Sequence, residues 1–461
     1  MAILGLRILP PFAIGRFGSS DIPLEAYELK ISEEDPLDYR RIVGQPTLIV
    51  DNTSGAIVKS YIPEGNEIKF KDDDHIRPVA PFLEVFAQTD DNILEPLTLS
   101  LLESEGLSLK DICWRVTVAN LKVFRQTGKD EDKVIARVES FNDHSTQELR
   151  GYCANFLEGK YISFGHVRFI QPTEEFPEIR LRFTPAQGLV YGTSKTRFNL
   201  DKQKDETDPV FQNNPDRIVY DSTKGTWLKF QANSASVTLP NPSDIYQGYW
   251  PSDQPLPIGW GYLDDVCDGS VNVELKLTNS TVLSAHSWIS SCMPAFAPDS
   301  QPMRTVADEL EQLILGPEIS DEEVTIEAAA EIVRRALETI RLMNTRVMNA
   351  NIIDGRANIA STLYRQDSND YGRYYAPGMA SSIVDNLAVR ALHERIYTAL
   401  ISGSAPWFGE VLRKPEEVGD LSDTARRKMP PMLRGADGRA LTLTRRQISK
   451  IIKAATLNIF K

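Results

Sequence analysis

The hydrophobic period changes once along this chain, from two residues to about 3.6, and the change falls near residue 300. Upstream, the clearest strand starts at Val271: Val271, Val273, Leu275 and Leu277 share one face, and Asn272, Glu274 and Lys276 the other. The pattern predicts a second strand over Thr281–Ser290, closing a hairpin near Thr278-Asn-Ser280. Pro294-Ala-Phe-Ala-Pro298 then ends the β half, because proline removes ladder donors and restricts its predecessor. Downstream, Thr305–Leu315 reads as a short amphipathic helix. Ile326, Ala329, Ile332, Val333, Leu337, Ile340 and Met343 stripe a longer helix from about Thr325 to Ile353. Another helix is expected over Ala380–Ile401, ended by Gly403. The last opens at Thr444-Arg-Arg-Gln447, a capping box, with Ile448, Ile451, Ile452 and Ala455 on one face. The expected fold class is therefore α+β: a β-rich domain of sandwich- or barrel-like sheets over residues 1–300, then a helical domain over 301–461.

Within the β half, residues 3–17 read as a strand and turn. Further strands are predicted at Thr47–Val50, Ala56–Ile62, Phe82–Ala87, Trp114–Ala119, Tyr161–Ile170, Glu178–Phe183 and Gly188–Gly192. Trp114, Val116 and Val118 alternate with Arg115 and Thr117. A short helix is expected near Glu148–Phe156. Strand-like islands follow at Trp227–Ala232 and Ala235–Leu239, then the proline-rich loop Pro240–Pro257. There Tyr246, Tyr249, Trp250 and Trp260 supply apolar surface to bury.

Charge excludes some functions. With 51 basic and 64 acidic residues the net charge is −13, which argues against general binding to nucleic acid or to an anionic membrane. Apolar runs fall short of the roughly 20 residues that span a bilayer. The start of the sequence is broken by Arg7 and Pro10-Pro11 and lacks the pattern of a signal peptide. Cys113, Cys153, Cys267 and Cys292 include no C-x-x-C pair, which fits reduced thiols in a cytoplasmic protein.

The densest group of reactive side chains is Gly261-Tyr-Leu-Asp-Asp-Val-Cys-Asp-Gly269. Asp264, Asp265 and Asp268 offer oxygens to a hard cation or another ligand, yet a one-turn ion site places ligands at alternate positions, and that spacing is missing. Hydrogen bonds that stabilise the turn are the favoured account of them, and no metal is expected. Cys267 stands among acids that blunt it as a nucleophile. His75, His144, His166, His286 and His393 show no H-x-x-x-H spacing, and no G-x-S-x-G is present. The glycines of Ile14-Gly-Arg-Phe-Gly-Ser-Ser20 lack the third member of a dinucleotide cradle. A loop carrying Arg365, Arg373, Tyr374 and Tyr375 is the candidate for a carboxylate-bearing ligand, since arginine grips carboxylates through a paired fork; the alternative is a tyrosine-rich surface or subunit contact.

Seven stretches in order resemble the family of L-lysine ε-oxidase and glycine oxidase, enzymes that build a cysteine tryptophylquinone from their own side chains. They are Ile8-Leu-Pro-Pro-Phe-Ala-Ile-Gly-Arg-Phe-Gly-Ser19, Phe70-Lys-Asp with Pro81-Phe-Leu-Glu-Val-Phe86, and Trp114-Arg-Val-Thr-Val-Ala-Asn120. Tyr262-Leu-Asp-Asp-Val-Cys-Asp-Gly269, Pro294-Ala-Phe-Ala-Pro-Asp299, Lys428-Met-Pro-Pro-Met-Leu-Arg-Gly435 and Leu441-Thr-Leu-Thr-Arg-Arg-Gln447 complete the set. In that family the cysteine and tryptophan of the quinone follow the element resembling Leu441–Phe460, whereas the last tryptophan here is Trp407 and the last cysteine Cys292. The resemblance therefore implies a quinone-less homologue with no cofactor in this chain. It would act as a binding, scaffold or partner subunit in amino-acid or peptide modification or biosynthesis, with a protein partner or a second copy. The alternative it leaves open is an oxidoreductase acting on the primary amines of amino acids, its redox centre completed by another chain or another cofactor.

Overall fold

A computed structural model describes residues 2–31, 40–64, 68–199, 204–208, 210–227, 248–249, 258–259, 261–294, 301–339, 352–353, 356–357, 391, 394–395, 397–420, 422–426, 428–430 and 442–457. The chain divides into two units, one of Met1–Tyr27 with Gly44–Phe296 and one of Glu28–Val43 with Ala297–Lys461. The fold is α+β, with its two large sheets in the first unit and most of its helix in the second.

Two antiparallel-rich sheets make the first unit. One runs in the order Ile3–Leu9, Phe82–Thr89, Arg180–Pro185, Ile162–Ile170, Gln147–Gly151, with the short strand Leu94–Pro96 also on Phe82–Thr89. The other runs Val134–Phe141, Ile112–Asn120, Asp268–Lys276, Val282–Cys292, Phe12–Arg16. Its last pairing is parallel: Phe12 lies against Trp288 and Arg16 against Cys292. Alternation drives this arrangement. Trp114, Val116 and Val118 are fully buried while Arg115 and Thr117 are exposed, and Val271, Val273 and Leu275 face the same core. Leu83, Val85, Phe169 and Phe183 of the first sheet join them in one cluster, and the Trp114 and Phe169 rings meet at 5.9 Å between centroids. Each such side chain contributes roughly 1.5–3 kcal/mol by leaving water. The hairpin expected at Thr278-Asn-Ser280 joins the two long strands, with Ser280 in the left-handed region at φ 69°.

Two expectations from sequence need correction. The helix placed near Glu148–Phe156 is instead the edge strand Gln147–Gly151, paired antiparallel to Ile162–Ile170. Leu149 and Gly151 are buried and Glu148 and Arg150 are not, a period of two too brief to stand out in sequence. The long helix runs over Ile326–Glu338, and Ile352–Ile353 pairs with Arg356–Ala357 as a small hairpin. A β-branched pair followed by Asp354-Gly355 is a hairpin signal that outweighs the helical stripe. Ile340 and Met343, residues 228–247, Trp250 and Trp260 lie outside the described residues.

In the second unit, Ala329, Ile332, Val333, Ala336 and Leu337 pack against Leu400, Phe408, Leu412, Ile451, Ala454 and Ala455. The helix Arg445–Thr456 begins as its sequence predicts. Thr444 Oγ1 accepts from Gln447 N at 3.1 Å, and Gln447 Oε1 accepts from Thr444 N at 2.9 Å. The helix Val306–Leu315 has the same kind of cap at Thr305, but Leu310, Leu313, Ile314 and Leu315 are exposed. Among the described residues no helix is long and apolar enough to cross a membrane.

Candidate functional site

The aspartate-rich turn links two pieces of sheet. Tyr262–Asp264 pairs antiparallel with Val190–Gly192, and Asp268 opens the long strand to Lys276. The first pairing carries the Gly188-Leu189 loop up to Asp265. Asp265 Oδ2 accepts the Gly188 and Leu189 N–H groups at 3.0 and 2.7 Å. Gly188 reaches this position at φ 85°, where a side chain would be strained and would press on the Phe17 ring.

The three carboxylates face different partners. Asp265 is wholly buried, and its Oδ1 has no hydrogen-bond partner among the described residues. Burial pushes its carboxyl up to about 7, against the two N–H donors and with added repulsion from Asp264. Asp264 Oδ1 accepts from Asn120 Nδ2 at 2.7 Å, and Oδ2 forms an ion pair with Lys122. Asp268 is exposed within the ladder, opposite Ala119 and Ser290. Among the described residues no group of three or more His, Cys, Asp or Glu is arranged to hold a metal ion.

The thiol between them is inert. Burial, followed by the nearby acids, pushes Cys267 up to about 12, and its backbone is tied to Ser291 in both directions at 2.8 Å. The turn therefore holds one buried acid whose value is raised to about 7, closed to solvent, and one part-buried ion pair. It pins three strands together and leaves no nucleophile in reach of a substrate.

Sequence reading missed a second polar centre in the same unit. Asp132, fully buried, accepts from Thr127 Oγ1 at 2.6 Å, Asn155 Nδ2 at 2.8 Å and the Tyr220 hydroxyl at 2.6 Å. Burial and then the Asp132 carboxylate hold the Tyr220 hydroxyl protonated far above its ordinary range. Nearby, Tyr262 donates to Asp208 Oδ2 at 2.6 Å and accepts Trp227 Nε1 on its carbonyl at 2.9 Å. Asp132 closes the acidic run Asp130-Glu-Asp132, and nothing in sequence marks it as the one turned inward. In the helical unit, a cleft of about 320 Å³ is lined by Glu318, Lys414, Glu416, Arg445, Ser449 and Lys453. Most of its charges are engaged locally: Arg445 with Glu416, Lys453 with Asp321, and Ser449 donates to Glu318. Arg365, Arg373, Tyr374 and Tyr375 lie outside the described residues.

Among solved structures, the chain is similar to L-Lys epsilon-oxidase from Marinomonas mediterranea. To the Schiff base intermediate of that enzyme with L-Lys it is 13% identical, with a TM-score of 0.46 over 98% of this chain and 61% of that one. A second crystal structure of the same oxidase gives 14% identity and a TM-score of 0.46, over 98% and 60% of the two chains. The chain thus spans about three fifths of the length of the oxidase structures it matches. No family model and no curated protein matches it.

Proposed function

We propose that this chain works by holding a ligand or a partner and performs no self-contained oxidation. It would be a quinone-less binding, scaffold or partner subunit in the cytoplasm, serving amino-acid or peptide modification. The sequence resemblance to the lysine oxidase and glycine oxidase family supports the scaffold. The observation that supports a non-catalytic role is the aspartate-rich turn, where Asp264 and one oxygen of Asp265 are hydrogen-bonded within the fold and burial blunts the Cys267 thiol. Arg365, Arg373, Tyr374 and Tyr375 are the proposed contacts for a carboxylate-bearing amino acid or peptide, because paired arginines and tyrosine hydroxyls suit that group.

The test is intact-mass spectrometry of the purified full chain together with a peroxide assay across the common amino acids. The expected result is a mass equal to the plain sequence and no peroxide. A mass deficit from a sulfur–indole crosslink, an added oxygen, or turnover by the chain alone would overturn the reading. Peroxide that appears only when a second polypeptide is added would favour the alternative, an amino-acid oxidoreductase completed in trans.

A further inference from the structure

The outer face of the first sheet carries two facing arginines, Arg168 and Arg182, for which no ion pair with a carboxylate is seen among the described residues. On the strand Ile162–Ile170, Val167 and Phe169 point into the core, which turns His166 and Arg168 to the other side. Leu181 and Phe183 likewise turn Arg180, Arg182 and Thr184 outward. Register then sets Arg182 directly opposite Arg168 on one flank and opposite Phe82 on the other. His166 lies opposite Thr184, one step along the same face. Like charges placed directly across a ladder repel, so two facing arginines are a liability unless an anion comes between them.

The neighbouring carboxylates are already taken. Glu84 is held by Arg180 at 2.6 Å and Glu178 also by Arg180 at 3.2 Å, while Glu148, which lies opposite His166 in the ladder, pairs with Arg150 at 2.5 Å. Asp51, which lies near Arg168, accepts from Thr53 N, Ser54 N and the Ser54 hydroxyl. Arg168 itself donates to the Thr146 hydroxyl and the Asp51 carbonyl. Among the described residues, Arg182 has no carboxylate partner of this kind. Its guanidinium lies 4.9 Å from the centroid of the Phe82 ring, and its buried Nε is without an acceptor there. The residue as a whole is part-buried, not sealed in the core. Burial and the Arg168 charge weaken its hold on a proton, and burial followed by Arg168 and Arg182 keeps His166 neutral, down to about 4. A guanidinium over an aromatic ring, with an unpartnered Nε and a second arginine opposite it in the ladder, suits a planar or tetrahedral oxyanion.

We propose that Arg182, Arg168 and His166 form an oxyanion site that takes the carboxylate or phosphate group of a small ligand. Arg182 supplies the paired donors, Arg168 the opposing charge, and His166 an uncharged ring N–H. The site does not depend on the partner-subunit reading, since neither an oxidation assay nor an intact mass reports on it.

The experiment is calorimetric titration of the full chain with inorganic phosphate and, separately, with succinate, at an ionic strength matched by sodium chloride. Saturable binding of at least one anion is expected, with affinity lost by about tenfold or more in Arg182→Met, the cost of one charge-assisted pair. Preference for phosphate or for succinate tells which group the natural ligand carries. Should Arg182→Met fail to fold by circular dichroism, Arg168→Gln is read in its place and is expected to weaken binding in the same way. No saturable heat with either anion, or equal affinity in the folded variant, overturns the site.

Discussion

Arg40 and Glu338 stand 298 positions apart in sequence and meet as a buried ion pair, with Arg40 Nε 2.5 Å from Glu338 Oε1. Arg40 Nη2 also reaches Glu331 at 2.7 Å, and Glu338 Oε2 accepts from Gln301 N at 2.8 Å. Burial holds the Glu338 carboxyl above the usual carboxylate range despite these donors. The pair therefore ties the 28–43 segment to the helix Ile326–Glu338 inside one unit.

Removing only the cation leaves a buried carboxylate without its counter-charge. Arg40→Met is expected to cost about 3–5 kcal/mol, and the double change Arg40→Met with Glu338→Leu clearly less, because the double variant strands no charge. Urea denaturation of both proteins checks this. A double variant as unstable as the single one would mean that shape, and not charge, dominates at the site.

Asp265 makes stability depend on pH in a defined direction. Its folded value near 7 lies above the ordinary 3.8, so between those values the folded state binds more protons than the unfolded one. Its contribution is then most favourable below about pH 4, declines as pH rises to about 7, and is constant beyond. Asp265→Asn, which keeps an oxygen for the Gly188 and Leu189 N–H groups, removes that dependence. The stability difference between variant and parent is expected to move toward the variant by up to about 1 kcal/mol per pH unit between pH 5 and 7. Denaturation curves at pH 5, 6, 7 and 8 measure it, and parallel profiles would refute it.

Tyr220→Phe deletes one of the three donors on the fully buried Asp132 carboxylate. The expected loss is about 1–3 kcal/mol, the cost of a buried acceptor losing a partner. Chemical denaturation at neutral pH is the measurement, since the native hydroxyl stays protonated there. A change near zero would show that Thr127 and Asn155 satisfy the carboxylate by themselves.

Gly165 sits at φ 93°, and a Cβ there would lie 2.1 Å from the Thr184 carbonyl oxygen. Gly165→Ala must therefore displace backbone in the centre of the first sheet. A loss of at least about 2 kcal/mol is expected, from left-handed strain plus the clash. Thermal unfolding reports it directly, and a fully stable alanine variant would contradict the geometry.

Sequence made some of this visible and hid the rest for a physical reason. The alternation at Trp114, Val116 and Val118, the hairpin from Val271 to Ser290, and the cap at Thr444 are local, and local patterns survive in one dimension. Gln147–Gly151 is local too, but a strand of that length offers too few alternations to separate it from a helix. Asp265 and Asp264 are neighbours with the same side chain. Only the distant Gly188-Leu189 loop and Lys122 make one a buried acid and the other half of an ion pair. The Arg168–Arg182 facing likewise exists only once two strands find their register.

The parallel strand Phe12–Arg16 has a consequence for how the chain comes together. Ser287 donates to the Pro10 carbonyl across 277 positions, and Arg16 reaches the Met293 carbonyl over the same separation. Translation delivers residues 12–16 long before the strand that receives them; Arg16 has a partner in Val79 much earlier, but the groups that face Val282–Cys292 wait until that strand has emerged. Closure of so long a loop makes that docking slow and late. A segment made early is then the clasp that fastens the β unit at its end, and a nascent chain stalled before residue 282 would carry it unfastened.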